Sequence, residues 1–512
     1  MDNGIAPNAK RLLWAGFAAI FASGVGFSVR TGVLGDWASN YGFTMSELGG
    51  ITGGGLWGFG IIIILFSLIA DRIGYGRLMG FAFSMHVLSA ILQLATGYVF
   101  EHFGKNWTYW NLVVAMVLFS IGNGVCEAVV NPMTATLFPR QKTHYLNMLH
   151  AGWPGGLIAG GLASYFMNGG AIGTWAPIGK VHWMVQMSLF LVPVAVYGLM
   201  LLGERMPVSE AGEAGIDFWT MLAQFAAPLL IFLLFIHALV GYVELGTDSW
   251  ISKITGTIMS SPTNGLLLFV YTSALMFALR FFAGPILHRF RISPLGLLLC
   301  SATLACIGLS LLGHVGTALL CVVAATVYGC GKTFFWPTML AVASERFPKG
   351  GALVIGAMGG VGMLSAGLLG GPAIGFQQDV YASSYLKQKA PETYDRYAAP
   401  EVNSFYGIWT VKGLDGTKVG VLDLATQAQK AATEGKTEAV HEDQRQIELS
   451  LEQAKPPLTD WWRTEAEPNV EHDAGPVGLA NLIGGQTALR WTAVVPATMA
   501  FCYLLLLLYF WA

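Results

Sequence analysis

Twelve apolar runs, each long enough to cross a bilayer at roughly 20 residues apiece, constrain this 512-residue chain more than any other feature. They fall at about 11–34, 47–70, 78–100, 109–138, 144–169, 181–203, 228–251, 264–287, 292–313, 316–344, 352–377 and 487–511. In hydrocarbon every main-chain polar group needs an internal partner, so runs of this length have to be helical. The expected fold class is an all-α membrane protein with twelve transmembrane helices. With 54% of residues hydrophobic and 11% charged, the chain cannot clothe a water-soluble surface. Its 64 glycines suit close helix crossing instead.

Two hydrophilic stretches divide the runs. The expected organisation is a six-helix bundle over 1–203 and a linker over 204–227 with a short interfacial helix. The first five helices of a second bundle follow over 228–377, then an insert over 378–486 and a last helix over 487–512. The middle of the insert, near Leu422 to Lys455, is rich in Ala, Gln, Glu and Lys and is expected to be helical. Lys10 and Arg11 precede a first run too long for a signal-peptide core, so that run is expected to remain as a span.

Basic residues in the short loops set the orientation. Lys10, Arg11, Arg72, Arg77, Arg140, Lys142, Arg205, Arg289, Arg291, Arg346 and Lys349 fall on one side. Only Lys105, Lys180 and Lys253 fall on the other. Both termini are therefore expected in the cytoplasm and the insert outside it. A bacterial inner membrane is the expected location, with the insert free to dock a periplasmic partner.

Ionisable residues inside such runs are expensive and ask for a functional reason. Arg30, Glu127, Glu244 and Lys332 lie on the first, fourth, seventh and tenth runs. Laying Pro337 on Pro132 also lays Gly329 on Gly124 and Lys332 on Glu127, which is the pattern of two related halves. Two readings stay open for the four charges. They line a shared polar pathway, or they form structural pairs, Glu127 with Lys332 and Arg30 with Glu244. Glu127 lies about 16 Å from the cytoplasmic end of its helix at 1.5 Å per residue. Asn131, Asn147, His150, Trp153 and Trp336 are candidate lining groups. Asp71, Arg72 and Arg77 are read as a latch between helices, and Arg280 as reaching helix ends near the cytoplasmic face. His86 and His237 are expected to be hydrogen-bonded packing residues, and Asp248 a gate residue or a solvated one.

Other chemistry finds little support. Net charge is −2, which gives no hint of nucleic-acid binding. The six cysteines all lie in apolar segments and form no CxxC pair, which disfavours disulfides and a metal site. Gly53-Gly54-Gly55, Gly359-Gly360 and Gly370-Gly371 sit within runs rather than in strand–helix turns, so phosphate-loop readings fail their context. No HExxH or GxSxG motif is present. An enzyme is not expected, nor a cofactor beyond a coupling ion, H+.

The six-plus-six plan and the loop Asp71-Arg72-Ile73-Gly74-Tyr75-Gly76-Arg77 resemble the major facilitator superfamily. Within it, Glu127-x-x-x-Asn131-Pro132 followed by Leu146-Asn147 is similar to the fucose–proton symporter group, as is Gly241-Tyr242-Val243-Glu244 with Trp250. The resemblance implies two pseudo-symmetric bundles, alternating access and a role for Glu127 in proton coupling or sugar binding. The group's span-one acid is replaced by Arg30, and His150 stands for a customary glutamine. An organic-anion symporter, exchanger or exporter therefore stays open beside a symporter of a sugar or other small polar metabolite. The proposed coupling pair is Glu127 and Lys332, and the substrate groups are Arg30, Asn131, Asn147, His150, Glu244 and Trp336. A monomer in the lipid bilayer is expected. A non-transporting receptor or scaffold built on the insert is the remaining alternative.

Overall fold

The structure, a computed structural model, describes residues 7–511 except 42, 44, 54, 171–177, 180, 434, 436, 454 and 455. Lys180 of the orientation argument and Lys455 of the expected insert helix thus lie outside the described residues. Among these residues, eleven helices are long and apolar enough to cross a membrane. The twelfth expected span, the fifth in order, is present as two shorter pieces, Lys142–His150 and Gly152–Met167. The chain is a multi-pass membrane protein.

Spans are numbered here in chain order. Span one is Ala9–Tyr41, span four Lys105–Leu137, span nine Pro294–Leu312. Span two runs through Met45–Gly53 and Gly55–Ser67, span three starts at Tyr75–Leu94, and span six is Trp183–Ser188 with Leu191–Leu201. Starts are marked by local chemistry. Ser261 and Ser293 cap spans eight and nine with a proline in the first turn, where its missing N–H costs nothing. Thr317 caps span ten in the same way as those serines.

Span one packs along five, three along four, seven along eleven and nine along ten. The two halves meet where span two lies on eleven and span five on eight. At the first of these seams the backbones nearly touch: a Cβ on Gly60 would lie 2.8 Å from the Gly360 carbonyl oxygen. Only residues without a side chain allow that approach.

Several spans are interrupted, and the interruptions are where chemistry collects. Span seven is Pro228–Gly241, a π-helical turn Tyr242–Gly246, then Thr247–Ile258. Span eight breaks between Pro262–Arg280 and Ala283–Phe290. Span ten breaks between Ala318–Lys332 and Phe335–Arg346. Pro337 removes an N–H and so frees the carbonyl of Thr333; Pro154 in span five does the same to His150.

The membrane-crossing stretches of spans eleven and twelve continue well past the ends that hydropathy sets. Gly371–Lys389 prolongs span eleven, Val470–Thr492 leads into span twelve (Val494–Trp511), and the two pack together as a stalk. The stalk carries the insert, whose helices include Gly416–Thr433 and Thr437–Gln453. Its own small core contains Leu386, Tyr397, Leu422, Trp462 and Ala466. Arg396 and Asp473 lock it with an ion pair at 2.6 Å, and Thr393 donates to the same carboxylate at 2.8 Å. Burial alone would raise the Asp473 carboxyl. Hydrogen bonds from Arg396, His472 and Thr393 hold it below the usual carboxylate range.

The face that carries both termini is called the terminal face below, and the opposite one the insert face. On the terminal face the linker holds a short helix, Phe218–Ala223, capped by Asp217, with Trp219 72% exposed.

A candidate polar pathway between the halves

Asn123, Glu127 and Asn131 recur at every fourth residue of span four, so they stack on one helix face. All three are buried. The Asn131 amide nitrogen donates to the Glu127 carbonyl at 3.1 Å and to its carboxylate Oε2 at 2.5 Å. A main-chain carbonyl only accepts, so the amide nitrogen has to face Glu127 and the amide oxygen has to face away. That oxygen meets His150 Nε2 at 2.8 Å, which places the imidazole proton on Nε2. Asn123 begins a second branch, bonded to Ser23 at 2.7 Å and to His86 at 2.9 Å, with His86 in turn bonded to Tyr197.

The pathway crosses between halves at Arg280. Its Nε donates to the Thr333 carbonyl at 2.9 Å, and one terminal nitrogen donates to the His150 carbonyl at 2.6 Å. These are the two carbonyls that Pro337 and Pro154 leave without helix partners. The other terminal nitrogen pairs with Glu244 Oε1 at 2.9 Å. One guanidinium thereby ties spans five, seven, eight and ten, using the fork geometry that lysine lacks.

These contacts correct three expectations. Glu244 pairs with Arg280 and not with Arg30. Lys332 pairs with Asp248 and not with Glu127. The reason is spacing: Glu244 and Asp248 are one turn apart on span seven, so the second half neutralises its own two cations. Arg280 is no terminal-face latch. It is 1% exposed, because span eight breaks directly after it and leaves its head among the freed carbonyls.

The other expected groups divide. Asn147 donates to Thr338 across the halves at 3.2 Å, and Trp336 is buried with His237 edge-on at 4.7 Å. His237, expected to be hydrogen-bonded, has neither ring nitrogen partnered. With Asn147 Oδ1 and Glu244 Oε2, also unpartnered, it leaves spare hydrogen-bonding capacity around the pathway. Arg30 stands apart, toward the insert face. Among the described residues it has no hydrogen bond or ion pair; its guanidinium lies over the Phe27 ring at 4.7 Å. Trp153 packs on that same ring at 5.6 Å.

At the terminal face, burial pushes the Asp71 carboxyl above its usual range, with Ser209, Ala352 and Tyr75 close enough to offset part of that. Arg72 lies over Phe218 of the linker at 4.9 Å, and Arg77 is exposed. Hydrogen bonds joining the two halves include Arg280–His150, Asn147–Thr338, Lys142–Ser344 and Gly284–His144. These four fall within about 15 Å of the terminal face at 1.5 Å per residue. The halves are closed on that side.

Of the residues sequence reasoning misplaced, Arg280 and Asp248 had a signal. Both prolines mark a carbonyl in need of a donor, and Glu244–Asp248 is a one-turn acidic pair.

Residues 16–371 match the profile of the Major Facilitator Superfamily. No curated protein sequence matches the chain. Solved structures that share its fold include the following three. The transporter FucP in its outward conformation is 16% identical, with 72% of this chain and 92% of that chain covered and a TM-score of 0.58. The proton:xylose symporter XylE with a bound bromo-deoxyglucose is 12% identical, covering 74% and 90%, with a TM-score of 0.60. The human organic anion transporter TETRAN is 14% identical, covering 75% and 95%, with a TM-score of 0.54. At these identities the likeness shows the fold alone.

Proposed function

The chain belongs to the Major Facilitator Superfamily of transporters, and from that premise we propose that it is a proton-coupled importer of a sugar or other small polar metabolite. It works by alternating access in a bacterial inner membrane, as a monomer, with the terminal face in the cytoplasm. The observation that carries this reading is the Glu127–Asn131–His150 relay. Glu127 is buried and, among the described residues, has no ion-pair partner. A carboxyl so placed takes up and gives back a proton without breaking a structural pair. The relay ends on the residue whose carbonyl Arg280 holds across the halves, so protonation and the closed terminal side are physically joined. The cation that tunes this site is Arg280, through His150, rather than Lys332.

XylE, whose fold the chain shares, is a proton:xylose symporter, and this adds to the reading. The test is uptake into liposomes under an imposed proton gradient, screened over sugars, polyols and carboxylates. Glu127→Gln is expected to lose accumulation against a gradient while keeping exchange of substrate across the membrane. Undiminished accumulation by that variant overturns the reading.

One observation favours a second substrate class. Arg30 is a buried cation with no partner among the described residues, placed toward the insert face and flanked by Phe27 and Trp153. An organic anion would satisfy it, its carboxylate meeting the planar fork in a bidentate pair. The solved organic anion transporter of like fold is consistent with that class.

A further inference from the structure

Within the insert, Asn403–Phe405 and Trp409–Val411 form a two-stranded antiparallel hairpin closed at Tyr406 and Gly407, both with positive φ. Its surface is unusual for a water-facing turn. Val402 is 60% exposed, Tyr406 58%, Ile408 69% and Trp409 59%. Four large apolar side chains exposed on one short hairpin make a surface that water would not favour.

The hairpin's position says what covers it. Tyr406 donates its hydroxyl to the Leu368 carbonyl in a π-helical turn, Ser365–Gly370, that follows Gly351–Leu364 in span eleven. Phe405 packs on Phe376 of the same helix with ring centres 5.7 Å apart. Leu368 and Leu369, beside that contact, are 41% and 46% exposed on the outside of the bundle. Counted from Gly351 at 1.5 Å per residue, Leu368 lies about 26 Å and Phe376 about 38 Å along the helix. A hydrocarbon core is about 30 Å thick. The hairpin therefore straddles the level at which the insert-side leaflet turns from acyl chain to headgroup. Tyr and Trp concentrate at that level in membrane proteins because an apolar ring with a polar tip suits both sides of it.

We propose that residues 402–409 form a membrane-interface anchor, the exposed apolar side chains seated in the headgroup–acyl boundary of the insert-side leaflet. The occupant of the patch is lipid, continuous with the lipid that covers Leu368 and Leu369. The hairpin then fixes the insert against the bilayer at a second point beside the stalk.

The test uses the full chain in phosphatidylcholine–phosphatidylglycerol vesicles, with exposed Cys300 replaced by serine and an environment-sensitive fluorophore on Ile408→Cys. The same label on Ala432→Cys, an exposed residue of Gly416–Thr433, is the reference. Expected at 408 are a blue-shifted emission, strong quenching by shallow nitroxide-labelled lipid, and loss of quenching by aqueous iodide relative to 432. Iodide quenching at 408 equal to that at 432 overturns the proposal. So does protection at 408 from both quenchers, which would mean a protein partner or a second copy on the patch.

Discussion

Arg280 of span eight donates to the main-chain carbonyl of His150 on span five, 2.6 Å away, using an acceptor that Pro154 leaves free. Two chemically distinct changes therefore strike the same bond. Arg280→Ala strands Glu244 in the interior, and loss of one partner of a buried pair costs roughly 3–5 kcal/mol. The expected result is a lowered melting temperature and no transport. Adding Glu244→Gln should return most of the stability, by removing the stranded charge, but not the transport. Pro154→Ala should keep or raise stability, since the helix regains its own bond, while slowing turnover. Wild-type turnover in Pro154→Ala would show that the cross-half bond carries no part of the cycle.

Arg30 separates the two substrate classes. Hydrogen bonds to charged groups contribute roughly 1.5–3 kcal/mol, or about 10–150-fold in affinity. If an organic anion is carried, Arg30→Gln raises KM by that order with little change in melting temperature. For a neutral sugar the same substitution should leave KM within a few-fold of wild type. Initial-rate uptake across substrate concentrations reads the difference.

The seam between spans two and eleven is expected to be intolerant of bulk. A Cβ on Gly360 would lie 2.3 Å from the Ile64 side chain and 2.9 Å from the Gly60 carbonyl oxygen; Ile64 can shift, but the main chain at Gly60 cannot. Gly360→Val should therefore disfavour the arrangement closed on the terminal face. Distances between spin labels at the terminal ends of spans five and ten should shift to longer values than in the wild type.

Within the insert, the lock on Asp473 predicts an acid limit. Its carboxyl is held below the usual value of 3.8, so the carboxylate stabilises the folded insert at neutral pH. That contribution is present above the unfolded value and is lost as pH falls through the lower folded value, which places the loss below about pH 4. Asp473→Asn should remove it at every pH, costing about 2 kcal/mol for a pair with partial solvent access. Protease resistance of the insert, followed against pH in both forms, checks the sign and the window.

Much of this fold was legible because hydrocarbon imposes one rule on every span. Run lengths located twelve crossings, although span five is interrupted at Ala151. What hydropathy cannot see is a helix that continues into water. Gly371–Lys389 and Val470–Thr492 pass the membrane boundary without a break, because helix propensity and mutual packing, rather than lipid, sustain them there. The site was legible in its parts and not in its pairing. Glu127, Asn131 and His150 were readable as polar residues on neighbouring helices, and they do meet. Matching the halves by their prolines suggested Glu127 opposite Lys332. The four-residue step from Glu244 to Asp248 gives both second-half cations nearer partners instead. Arg280 was misplaced because a run of apolar residues on either side hides the break in span eight.

The stalk that lifts the insert is made of spans eleven and twelve, and both belong to the second half. Whatever tilt that half undergoes is carried rigidly into the insert, as the swing of a metronome arm follows its pivot. A label on the insert thus becomes a gauge of the transport cycle that touches neither the substrate groups nor the seam. With the hairpin tip resting in the leaflet, that arm would also lean on the bilayer itself, so stiffness of the surrounding lipid enters the energetics of turnover.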